Sequence, residues 1–187
     1  MANQSAPIVH SVYFYETEEA LVLRLIGIVT SALNSGNAAL MVVTREHGQH
    51  LTHSLSPRLF RTTHELARLT IVDAQATLNK FMVGGMPDRA RFLQIVNTLV
   101  AEASIPAERT GGQLTIFGEM VALLWADGQK DAALALEGLW NEALSDGRFY
   151  LHCAYPKSQF TYDVDRSGIR SICELHSHTF GALDAAM

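Results

Sequence analysis

Cysteine is too scarce in this chain to build a disulfide framework. There are two in 187 residues, Cys153 and Cys173, and they are not in CxxC spacing. That excludes a stapled scaffold and leaves free thiols, the usage expected of a cytoplasmic protein. Long hydrophobic runs are missing as well. Leu21 to Val29 is interrupted by Arg24, whereas a membrane span needs roughly 20 apolar residues, so no membrane segment is expected. Basic charge is in the minority, with 14 Lys and Arg against 19 Asp and Glu and a formal net charge of −5. Direct nucleic-acid binding needs a basic stripe and is therefore not expected. The amino terminus, MANQSAPIVH, has no basic region leading into an apolar one, so no secretory leader is expected. Catalytic signatures are lacking too: there is no GxSxG elbow, no HExxH and no Cys–His pair in a workable order. The expectation is a protein that is not an enzyme, with no catalytic residue, no cofactor and no metal ion.

What is present is ordinary globular composition, 48% hydrophobic and 18% charged, enough for one domain (1–187) with a full core. Aromatic alternation predicts a strand over His10–Tyr15, and Thr17 is placed to cap a helix over Ala20–Leu33 that Asn34-Ser35-Gly36 stops. Ala39–Thr44 reads as a strand covered on both faces. Arg45–Leu55 reads as a polar, mostly solvated helix. Leu69–Asp73 is the third strand, and its aspartate caps a helix over Ala74–Met82. Gly84 to Asp88 reads as a loop, either a hinged flap over a cleft or plain loop chemistry. Asp88 caps an amphipathic helix over Arg89–Glu102, and Ile105 to Gly112 is read as a connector. Strand Leu114–Phe117, helix Met120–Trp125, a break at Asp127-Gly128, helix Lys130–Leu144 and strand Phe149–Tyr155 follow. Phe160–Val164 is a short strand or loop, Ile169–His178 a terminal helix, and 165–187 a carboxyl-terminal helix or tail. The alternation predicts an α/β fold, a three-layer α/β/α sandwich with a mostly parallel central sheet.

The chain is organised around Gln113 to Trp140. A short strand ends at Gly118, and Glu119 follows where a helix begins. That puts a carboxylate at the carboxyl edge of the sheet, where open α/β sheets bind ligands. The turn after Tyr15 has the strand–turn–helix frame of a phosphate-binding loop, but it holds no glycine and no lysine. Glu16, Glu18 and Glu19 stand there instead and would repel a polyphosphate.

Five stretches, HSVYFYE, FMVGGMPDRARF, TIFGEMVALLW, ALALEGLWNEAL and LHCAYP, occur in order from His10 onward. In them the chain resembles the MEDS domain, the sensory domain of methanogens, methylotrophs and the dichloromethane-responsive regulator. The resemblance implies a RecA/KaiC-like fold without a Walker A loop, in keeping with the acidic turn. It implies a sensory role in which a small, apolar, hydrocarbon-like ligand is bound. Family members are usually fused to a histidine kinase or a DNA-binding region. Only some 23 residues follow Val164 here, so output is expected through a separate partner such as a histidine kinase or transcription regulator. A homo-oligomer of no fixed order is also in keeping with the resemblance.

The candidate ligand-binding residues are His10, Tyr13, Tyr15, Glu16, Gly118, Glu119, Trp125, Trp140, Asn141 and Tyr155. Each has a plainer alternative. Glu119 can cap its own helix, Trp125 and Trp140 suit the core, and Asn141 with Glu142 suits a polar stripe. Cys153, in an apolar strand, is expected to be an inert small hydrophobe. His47, His50 and His53 recur every third residue without the four-residue spacing of metal-binding helices, so they are read as solvated. His176 and His178 are treated with the same caution. Two further readings stay open beside the sensory one: a degenerate nucleotide-binding protein or ATPase, and an interaction module with no ligand.

Overall fold

A computed structural model describes residues 9–55, 67–109, 111–160 and 162–181, with backbone only at 162–164. Its centre is a six-stranded sheet in the order β3-β2-β6-β7-β1-β8. The strands are β1 (His10–Tyr15), β2 (Ala38–Val43), β3 (Leu69–Asp73), β6 (Leu114–Gly118), β7 (Phe149–Pro156) and β8 (His178–Phe180). A hairpin, β4 (Met82–Val83) with β5 (Met86–Pro87), stands apart. Every pairing within the six-stranded sheet is parallel. Parallel strands need covered faces, and β2 and β6 are buried at every position.

Alternation along the strands sorts the core into two layers. On one face Met41, Val43, Phe117 and Ala154 pack against Leu21, Leu25, Val29 and Leu33 of α1 (Glu18–Asn34) and Leu51 of α2 (Arg45–Ser54). On the other face Leu40, Val42, Ile116, Leu151 and Tyr155 meet α3 (Ala74–Leu78), α4 (Arg89–Glu108), α5 (Met120–Ala126), α6 (Lys130–Ala143) and α7 (Tyr162–Glu174). The α/β class and the three-layer, parallel arrangement are as expected. Thr17 caps α1, its hydroxyl oxygen accepting the Ala20 N–H at 3.2 Å.

Three local expectations are corrected. The helix after Asp73 stops at Leu78, because the hairpin follows, with Gly84 and Gly85 at φ 59° and 81° making its turn. Such a turn favours glycine at both positions. The α4 helix does not end at Glu102. It runs through Pro106 to Glu108 because its apolar face continues, burying Ala103 and Ala107, and packing overrides the missing N–H. At the carboxyl end, α7 begins at Tyr162 rather than Ile169 and ends at Glu174, and His178 opens a sixth strand instead of closing a helix. Ser177 anchors that strand: its N–H donates to the His10 carbonyl at 2.7 Å, and its hydroxyl accepts the His10 N–H at 3.0 Å. Residues 1–8 and 182–187 lie outside the described residues.

Candidate functional site

Two polar networks and one apolar seam stand out. The first network lies at the carboxyl edge. Glu119 ends up 4% exposed, and the strand places it there because its N–H is tied to the Val42 carbonyl at 3.0 Å. Its side chain does not cap α5. One oxygen accepts the Thr44 N–H at 2.6 Å. The other lies 2.6 Å from His47 Nδ1, an ion pair off the line of a directed hydrogen bond. His47 Nε2 contacts Glu18 at 2.5 Å. The close contact with Glu119 raises the His47 pKa to about 9, burial pulls it down, and the Glu119 charge and the contact with Glu18 add to the rise. His47 is thus a bridge between carboxylates and not solvated as expected, while His50 and His53 are exposed.

Of the candidates at this edge, Tyr15 is buried, and burial first, then the Glu18 and Glu119 charges, push its hydroxyl up. Glu16 is exposed and pairs with Lys157 at 2.8 Å. Gly118 presents open space where a Cβ would stand. Tyr13 lies on the α1 face beneath the Arg24 guanidinium, 5.7 Å from its ring centre. On that face a cavity of about 560 Å³ separates α1 from the start of the sheet, lined among others by Arg24, Ile28, Thr115, Tyr150 and His152.

The apolar seam runs between the sheet and α4–α5. Leu40, Val42, Val96, Val100, Ile116, Met120 and Trp140 line it, Thr77 being its polar member, and it leaves no space for a water-sized sphere. Trp140 is a core residue, edge-on to Phe92 at 5.1 Å between ring centres. Trp125 packs against Phe160 at 5.0 Å and Tyr155 at 6.0 Å.

The second network is buried under the other half of the sheet, and three candidates meet there. His10 (β1), Cys153 (β7), Glu137 (α6) and His176, which follows α7, put one ligating atom each within 4.8 Å of one another. His10 Nε2 is 3.3 Å from Glu137 Oε2 and 3.4 Å from Cys153 Sγ. His176 Nε2 is 3.4 Å from the same Glu137 oxygen, and Cys153 Sγ is 3.6 Å from it. Asn141 Oδ1 meets His10 Nδ1 at 2.9 Å, and the Tyr155 hydroxyl donates to Glu137 Oε1 at 2.8 Å.

Burial is the largest influence on Glu137 and pushes its carboxyl up. His176, His10 and Tyr155 together outweigh it and hold the group below the usual carboxylate value. Burial, then the Glu137 charge, push the Cys153 thiol and the Tyr155 hydroxyl well up. Burial pulls His176 down against the Glu137 charge. Glu137 is not singled out by the sequence and His176 is read there only as a doubtful metal ligand, and Cys153 sits in a polar cluster rather than as an inert small hydrophobe. A signal was present for Glu137: it lies four residues after Ala133 and three before Trp140, on the face of α6 that these two bury.

A three-layer parallel α/β domain with a buried acidic network at the carboxyl edge of its sheet is the class that this fold and these networks define. The chain belongs to the MEDS family: the model of the methanogen/methylotroph, DcmR sensory domain matches residues 9–177. Its role is sensory, in signalling. No curated protein and no solved structure matches the chain. Among the described residues no helix is long and apolar enough to cross a membrane.

Proposed function

We propose that this sensory domain receives a small, largely apolar molecule in the seam between the sheet and α4–α5, entered from the carboxyl edge, and signals through a separate protein partner. The observation that carries the reading is the seam itself, lined almost wholly by aliphatic side chains and Met120. The seam is closed to a water-sized sphere at rest, so a small apolar molecule enters it by displacing side chains, and a methionine wall yields with little rotameric cost. Glu119 precedes Met120 in sequence and closes the polar side through Thr44 and His47. Ligand entry that moves Met120 would therefore pull on the Glu119–His47 ion pair and, through His47, on its contact with Glu18 that links α1 and α2, the face proposed to meet a histidine kinase or regulator. The acidic side chains after β1 argue against a polyphosphate as the ligand.

Methyl-labelled methionine NMR of the full chain, titrated with dichloromethane or toluene, tests this. A saturable shift of the Met120 methyl is expected in the wild type and its loss in Gly118→Leu, whose side chain would project into the open space beside the seam. No saturable shift up to the solubility limit of either probe sinks the reading. A magnesium-dependent ATP adduct in native mass spectrometry would replace it with nucleotide binding.

A further inference from the structure

We propose that His10, Glu137, Cys153 and His176 form a tetrahedral site for one divalent transition-metal ion of the zinc type, bound through the two Nε2 atoms, the Cys153 sulfur and Glu137 Oε2. This site lies apart from the apolar seam and does not depend on what the seam binds.

Distance is the first argument. Zinc bonds of about 2.0–2.3 Å at tetrahedral angles set ligand atoms roughly 3.3–3.8 Å apart. Four of the six edges are 3.3, 3.4, 3.4 and 3.6 Å, and the two from His176 Nε2 to His10 Nε2 and to Cys153 Sγ lie within 4.8 Å.

The second argument is the direction of the lone pairs. His176 Nδ1 contacts the Ile172 carbonyl at 2.6 Å, which can only accept, so this nitrogen carries the hydrogen. Asn141 commits its amide nitrogen to the Leu175 carbonyl at 2.9 Å, so its oxygen faces His10 Nδ1 and accepts there. Both rings are thereby fixed with Nε2 turned toward the carboxylate. An acceptor on the far ring nitrogen is how metal-binding histidines are oriented. The His176 side chain is 0% exposed, and its Nε2 has no hydrogen-bond partner. Two imidazole nitrogens and a carboxylate oxygen turned to one point call for positive charge between them, either a shared proton or a metal ion.

Charge is the third argument. A fully buried carboxylate is costly unless neutralised. A divalent ion with one carboxylate, one thiolate and two neutral imidazoles sums to zero. Without it, one imidazole must hold a proton and Cys153 remains a thiol. Ion entry forms four coordinate bonds and releases those two protons to solvent, so affinity rises steeply with pH. The ligands come from β1, α6, β7 and the α7–β8 junction, so the ion would fasten the carboxyl-terminal helix and edge strand to the sheet.

The test strips the full chain with a chelator and titrates it with Co(II), then Zn(II). One equivalent of Co(II) should give the intense visible bands of tetrahedral cobalt with a thiolate charge-transfer band, and Zn(II) should abolish both. Cys153→Ser should remove the charge-transfer band. Asn141→Ala, which touches no metal ligand atom but frees the His10 ring, should weaken affinity about 10–100-fold without moving the bands. Wild-type protein that is folded by circular dichroism yet takes up neither ion overturns the proposal, whatever the variants do. So does uptake with weak octahedral bands indifferent to Cys153→Ser.

Discussion

His47 Nδ1 lies 2.6 Å from Glu119 Oε1, joining the start of α2 to the end of β6 at the carboxyl edge of the sheet. The contact makes stability depend on alkaline pH. His47 is raised from 6.5 to about 9, so its stabilisation is complete below about 6.5 and fades as pH rises through about 9. The exposed partner Glu18 (62%) shares the ion pairing, and after discounting for solvent screening the loss is about 1–2 kcal/mol. Urea unfolding at neutral pH and above 9 should show it, and His47→Gln should remove most of the difference.

His152 acts at the other end of the scale. Burial first, then the charges of Arg24 and His10, lower it to about 4, and its Nδ1 hydrogen-bonds Ser11 Oγ at 2.6 Å. The unfolded chain takes a proton near 6.5 that the folded chain refuses, so this contribution is present above about 6.5 and lost as pH falls toward 4. The pH slope of unfolding free energy in that window should shrink by about one proton in His152→Asn. An unchanged slope would rule out His152 as the source.

The Tyr155 hydroxyl donates to a buried carboxylate, so Tyr155→Phe leaves Glu137 Oε1 without its donor. Hydrogen bonds to charged groups are worth about 1.5–3 kcal/mol. A loss of that size in unfolding free energy from denaturant titration, with the far-ultraviolet spectrum unchanged, is the expected result.

Glycines on two helices should respond oppositely to alanine. A Cβ at Gly168 would lie 2.4 Å from the Trp125 ring, whereas one at Gly138 would meet nothing within 4 Å. Gly168→Ala should therefore cost about 1–3 kcal/mol by overpacking and shift tryptophan fluorescence. Gly138→Ala should instead stabilise by about 0.5–1 kcal/mol. Differential scanning calorimetry of the pair separates them.

The strands most legible in the sequence are those with uninterrupted apolar or aromatic runs, HSVYFY, ALMVV, LTIF and FYLHCAY. Burial on both faces of a parallel sheet demands such runs. The β8 strand was illegible because His178-Thr179-Phe180 is short, exposed and held as an edge by Ser177, an anchoring that local pattern does not encode. Glu119 could be placed at the sheet edge from the Gly-Glu step alone. Its partner His47 could not, because a three-residue histidine spacing on a polar helix looks solvated until β2 is set beside β6.

The sequence by itself determined the alternation of strand and helix, the Thr17, Asp73 and Asp88 caps and the acidic run Glu16, Glu18 and Glu19 after β1. These depend on neighbours within a few residues, where propensity and hydrogen bonding act directly. Only the tertiary structure decided that His10, Glu137, Cys153 and His176 share one buried point. Those four lie on separate elements, and β1 reaches β7 and β8 only through strand order. A polar side chain's partner across a sheet is fixed by that order and by burial, and neither is written in the residues beside it.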